Sequence, residues 1–328
     1  MQTLIKTTQA YRLLKSACEN NRFSHAYLLL ADEKRNLRLI LKEFAKLFFD
    51  CNQTEKGKIL ANRIDAESFS DCLFFPIPDK KFMVEDAEKV IEESLLKPIE
   101  SDKKLFVISD FAEANPASQN KLLKLLEEPP ENVVFLLGAT SVFPVLPTVL
   151  SRVERLEILP FSAEQITSAL ARIYADKPYS LTDFQLVAAA SGGSVSAAQN
   201  TLEDGDYKEL IADAFALSLC TGATLPPLVK KIGETKRKKE LLFLLRVIFR
   251  DAMVLKTTGG NDKLILRVEG EKIGKVAEKY LTASLLFAQE QITKAEKELF
   301  FNGYFPQCLE VLISNILLEN AKNKKREK

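Results

Sequence analysis

Short apolar runs without alternation stand at residues 26–30 (AYLLL), 105–109 (LFVIS) and 133–137 (VVFLL). A run that is apolar on both faces suits a strand in the middle of a parallel sheet, where neither side meets water. Between these runs apolar residues recur at helical spacing: Leu37, Ile40, Leu41, Phe44, Leu47 and Phe48, then over 85–96 and over 117–126. Such spacing lays one apolar stripe along a helix. Strand and helix therefore alternate, which predicts a three-layer α/β domain over residues 1–160.

After Pro160 the pattern becomes wholly helical. Ser162 with Gln165 three residues on forms a capping box, which opens a helix by satisfying its first free N–H groups. A second short helix is expected over 184–190, ended by Ser191-Gly192-Gly193, and a third from the cap Ser194 to about Leu202. These three make a small domain over 161–206, closed by Gly205 and Asp206. Residues 207–328 form a further helical domain. Its elements are the apolar stretch around Leu241, Leu242, Leu244, Leu245, Ile248 and Phe249, a break at Gly259-Gly260-Asn261, and helices over 285–298 and 308–318. The apolar faces are wide for one small bundle, which fits either helix partners in other chains or a self-contained core. The basic tail 322–328 is expected to be a solvated end.

Charge changes this picture little. There are 46 Lys+Arg against 45 Asp+Glu, a net of +1, which speaks against an independent DNA-binding protein. The run Lys230-Lys231 and Lys236-Arg237-Lys238-Lys239 is locally basic, but reads as the polar face and entry of a helix. Five scattered cysteines, Cys18, Cys51, Cys72, Cys220 and Cys308, argue for reduced thiols and a cytoplasmic location. The N-terminus has no signal-peptide pattern, and no apolar run is long enough to span a membrane. The lone His25 lacks a Ser or Asp at triad spacing, so packing or a structural hydrogen bond near the strand start is expected of it.

Two segments carry a specific signature: NKLLKLLEEPP at 120–130, then FLLGAT at 135–140 followed by LPTVLSRV at 146–153. Together with His25-Ala26-Tyr27 and Phe44-Ala45-Lys46 they resemble the AAA+ clamp-loader family of bacterial DNA polymerase III. The resemblance implies an α/β AAA+ domain built on a P-loop NTPase-like parallel sheet, then a three-helix lid over 161–206 and an all-α collar over 207–328. It also implies where nucleotide chemistry belongs, and those positions have lost it. The phosphate-loop glycines fall on Ala31, Lys34 and Asn36, its lysine on Leu37 and its hydroxyl residue on Arg38. Asp32 and Glu33 put negative charge where phosphates would lie. A triphosphate needs inward N–H groups, a cation and a Mg²⁺-holding hydroxyl there. The paired metal acids fall on Ser109 and Asp110, with Asp110 expected to cap a turn instead. The sensor-2 arginine falls on Ser196, and Thr140, near sensor 1, is expected only to end its strand. The four-cysteine zinc module of relatives is reduced to Cys51 and Cys72, so neither zinc nor any cofactor is expected.

What the resemblance leaves intact is Ser151-Arg152, the family's arginine finger in trans. The alternative is a surface arginine paired with Glu154. The family then implies a subunit that hydrolyses no ATP itself. Its partners would be the clamp-loader ATPase subunit and the delta subunit, with the sliding clamp and primed DNA met through the assembled complex and no membrane involved. The competing reading is a diverged but active clamp-loader ATPase.

Overall fold

The structure is a computed structural model that describes residues 1–49, 51 and 54–326. The chain divides into two compact units, Met1–Pro160 and Phe161–Lys328.

In the first unit the three apolar runs become β1 (Ala26–Ala31), β3 (Lys104–Ile108) and β4 (Val133–Ala139). Two further strands, β2 (Cys72–Phe75) and β5 (Glu154–Ile158), complete a parallel sheet in the order β2-β3-β4-β1-β5. The three expected strands are its centre and the two unexpected ones its edges. β5 alternates, with Leu156 and Ile158 inward and Glu154, Arg155 and Glu157 exposed. Charged side chains on an edge strand discourage pairing with a foreign strand.

Both faces of the sheet are covered. Phe106, Ile108, Phe135 and Leu137 face one way and pack with Leu122, Leu125 and Leu126 of the helix Pro116–Glu127 and with Ala87 and Val90 of the helix Val84–Ser94. The other face meets the helix Leu37–Ala45, whose buried stripe is Leu37, Ile40, Leu41 and Phe44. That helix approaches so closely that a Cβ on Gly138 would lie 2.6 Å from Leu41 Cδ1. The expected helix over 37–48 ends at Ala45 and tightens into a 3₁₀ turn, Lys46–Phe48. The helices Gln2–Lys6, Gln9–Glu19 and Glu55–Asp65 complete the unit.

The second unit is all helical among the described residues. Ser162 and Gln165 close the expected capping box, with bonds of 3.2 Å and 2.9 Å, at the start of Ala163–Ile173. Ser180 and Asp183 form another at Leu181–Ala190, and Ser194 Oγ accepts from Ala197 N–H at Val195–Asp204. The long helix Lys238–Thr258 runs through the following region and packs on Thr282–Phe300. It ends at Gly259, whose φ of +70° is the left-handed conformation that glycine adopts most readily. One apolar cluster joins Leu186, Ala189 and Ala190 to Leu241, Leu245 and Ile248, so residues on both sides of position 206 share a core. Asp251, fully buried on the long helix, accepts from the N–H groups of Ile265 and Leu266 at 2.8 Å each and pairs with Arg250 at 2.6 Å. It thereby ties down the segment after the glycine break. The last helix, Phe305–Arg326, extends into the basic tail, whose described residues are mostly exposed, as expected of a solvated end. Lysines and arginine in its final turn suit the negative end of the helix dipole.

Candidate functional site

A parallel sheet gathers the loops that follow its strands along one edge, and ligands of such sheets bind outside those carboxyl ends. β1 and β3 flank β4, so the turn after β1 and the turn after β3 meet there. The positions expected for the phosphate loop and the metal acids are thus brought together. Ala31 ends β1, Lys34–Asn36 form a 3₁₀ turn, and Leu37 opens the next helix with its side chain fully buried. Asn36 Nδ2 donates to Glu33 Oε2 at 3.0 Å, both side chains being buried. Lys34 Nζ reaches across to Glu113 Oε1 at 2.7 Å, which holds the Glu113 carboxyl below its ordinary range.

Arg38 closes the gap between the two turns. Its Nε and Nη2 grip Glu67 in a two-bond fork at 2.6 Å and 2.5 Å. Its Nη1 donates to the Pro76 carbonyl at 2.9 Å and to Ser109 Oγ at 3.2 Å. Lys42 also reaches Glu67, at 2.9 Å. Burial alone would raise the Glu67 carboxyl, but the bonds from Arg38 and Lys42 outweigh it and hold the group below its ordinary range. Asp110 goes the other way, raised by burial and by Glu113 despite Lys34 and Arg38 nearby. Its backbone is left-handed at φ +51°, and although it stands at the start of the turn Phe111–Glu113, its side chain makes no capping bond. The expected side-chain cap is therefore not formed; the turn is held by its own backbone bond, the Asp110 carbonyl accepting from Glu113 N–H at 2.8 Å. Chemically, this edge is a closed network of guanidinium, ammonium and carboxylates.

Of the remaining positions, Thr140 follows the end of β4 and is half-buried, and Ser196 is buried on the helix Val195–Asp204. Among the described residues no group of three or more His, Cys, Asp or Glu is placed to hold a metal ion. The basic run belongs to helix ends: Lys231 pairs with Asp213 at 3.2 Å, Arg237 with Asp204 and Asp206, and Lys238 lies over the Phe305 ring.

Ser151 and Arg152 lie at the opposite edge of the sheet. They line an open groove of about 540 Å³ with Ser24, His25, Glu127 and Glu154. Ser151 follows the short helix Pro147–Leu150, and its Oγ donates to the Thr148 carbonyl at 3.0 Å. Arg152 Nη1 donates to that same carbonyl at 2.8 Å and lies 3.1 Å from Ser151 Oγ. The partner of Arg152 is Glu127 at 3.2 Å, not Glu154, because the helix Pro116–Glu127 ends against the groove. His25 donates from Nε2 to the Leu126 carbonyl at 2.9 Å, anchoring that helix end beside the start of β1. Sequence reasoning missed Glu127 and Glu67 as partners. Glu127 stands inside the quoted motif, whereas Glu67, 29 positions beyond Arg38, leaves no signal in the sequence.

Residues 6–162 match the family described as DNA polymerase III, delta subunit. This segment belongs to the DNA polymerase III clamp-loader family. The chain is also similar to DNA polymerase III subunit tau of Bacillus subtilis, 21% identical over 341 residues, which cover 93% of this chain and 59% of that protein. With subunit tau of Escherichia coli it shares 31% identity over 152 residues, 44% of this chain and 21% of that protein. It therefore spans only part of either relative's length. Among solved structures, a DNA polymerase III gamma subunit-related protein of Thermotoga maritima aligns with TM-score 0.40 and 16% identity, covering 94% of this chain and 99% of the other.

Proposed function

We propose that this chain is a delta-prime-like subunit of the DNA polymerase III clamp loader that hydrolyses no ATP and lends Arg152 to the site of a neighbouring ATPase subunit. The observation that carries the reading is Arg38. Where the family resemblance implies a hydroxyl residue beside a bound triphosphate, a guanidinium spans the gap to Ser109 and is neutralised by Glu67. The adjoining position, implied to be a lysine, is the fully buried Leu37. Neither of these two positions offers a free cation to a β/γ-phosphate.

The place of Arg152 supports the donor half. β1 separates its groove from the loop after β1, and its six residues span roughly 20 Å at the usual rise. Arg152 therefore lies too far away to serve a nucleotide on its own chain. An arginine supplied from a neighbour neutralises charge that develops on the transferred phosphoryl group, an effect on the order of 10³–10⁵ in rate. In this reading 161–206 is the lid and 207–328 the collar that joins the ring. The partners are the ATPase subunit and delta, and the assembly places the sliding clamp on primed DNA.

Two measurements test it. Titration of the chain with a fluorescent ATP analogue and Mg²⁺ is expected to give no saturable binding; saturation would favour an active ATPase instead. A reconstituted loader carrying Arg152→Ala is expected to assemble and lose part of its DNA-stimulated ATP turnover. Unchanged turnover would remove the donor role.

A further inference from the structure

Arg152 rests in an arrangement that suits it poorly. Its Nη1 is satisfied by Thr148 and Ser151, and its Nη2 forms an ion pair with Glu127 at 3.2 Å. Its Nε is buried and has no hydrogen-bond partner. A guanidinium carries five N–H donors in a rigid fork, and it grips an oxyanion best with two parallel bonds from one edge. Here the Nε side of that fork faces protein that offers it no acceptor, while Nη2 is held by a carboxylate of the same chain. A buried donor left unmet is costly, and turning the head outward to water or phosphate would relieve it.

We propose that Glu127 parks Arg152: its carboxylate stands in for a phosphate oxygen until the triphosphate on a neighbouring subunit takes the guanidinium away. The proposal rests on the donor reading given above and adds its regulation. Glu127 is well placed for such a contact. It is the last residue of the helix Pro116–Glu127, whose end His25 fixes through Leu126. Its side chain is 59% exposed and that of Arg152 29%, so solvent and salt weaken the pair. An exposed pair of this kind biases an equilibrium by roughly two- to fivefold, enough to hold the side chain and little enough to surrender it. One guanidinium edge cannot serve a carboxylate and a phosphate at once, so release from Glu127 must accompany capture.

The test uses two readouts. In the full chain labelled with ¹⁵N-arginine, the Arg152 Nε–H, assigned by its loss in Arg152→Lys, is expected to exchange with solvent more slowly than exposed arginines. Glu127→Gln should speed that exchange about two- to fivefold, and Glu154→Gln should not. In the reconstituted loader at sub-saturating ATP, Glu127→Gln should raise turnover by a similar factor, and the double variant with Arg152→Ala should behave as Arg152→Ala alone. Unchanged or slower exchange in Glu127→Gln overturns the parking, as does lowered turnover, which would make Glu127 a support for the finger. If Arg152→Ala leaves turnover intact, the donor reading fails, while the exchange experiment still decides whether Glu127 holds the side chain.

Discussion

Arg38 and Glu67 show how one ion pair can bind two turns together. An arginine at the first turn of the helix Leu37–Ala45 finds a carboxylate, a carbonyl and a hydroxyl within reach, so the two turns at this edge are bound by side chains of the chain itself. Arg38→Ala is expected to lower stability by about 1–3 kcal/mol, read from urea unfolding, because Glu67 and Ser109 lose partly buried bonds. Glu67 also sets a pH dependence. Its carboxyl lies below the ordinary value of 4.5 in the fold, so the unfolded chain binds more protons than the native one. The stabilisation is complete above 4.5 and fades as pH falls through the lower native value. The melting-temperature gap between the protein and Glu67→Gln should accordingly be widest above that pH and narrow below it. A gap that stays constant would assign the effect to packing. Asp110, raised by burial, works in the opposite sense and should blunt the fall slightly.

The central strands were legible because burial on both faces writes itself as an unbroken apolar run. β5 was not, because an edge strand needs only one buried face and here carries Arg155 and Glu157 on the other, while β2 is a run of only four residues, mostly half-buried. The helix Glu55–Asp65 was missed for a related reason: only Gly57 and Ile64 of it are buried, too few for a stripe. Capping chemistry was the most readable local signal, as at Ser162 and Gln165. Ser162→Ala is expected to cost about 1 kcal/mol in the second unit, measured by chemical unfolding, since the Gln165 N–H loses its acceptor. On the sheet, Gly138→Ala is expected to cost about 1–3 kcal/mol in the first unit, since Leu41 must shift away from the new methyl group. At the candidate site the motif names positions, but not the side chains that partner them. Glu67 and Glu127 come from elements whose approach is fixed only by the packed sheet.

At the scale of the whole chain, each unit has an apolar core of its own, one around the sheet and one around the long helix Lys238–Thr258. Calorimetry is expected to resolve this: Gly138→Ala should lower one thermal component and Ser162→Ala another. A single component moved by both variants would mean that the units unfold as one. The partition also separates what the sequence pattern reveals. Periodicity alone marked the change at Pro160, where strands stop, but it could not tell whether the helices on either side of position 206 would bury their faces separately, since an apolar stripe does not name its partner.

The burial of Leu37 limits what its position can hold. A lysine placed there would drive an ammonium group into the layer between sheet and helix, where an unpaired charge is strongly disfavoured. The start of this helix therefore accepts exchange only of apolar for apolar, at similar volume.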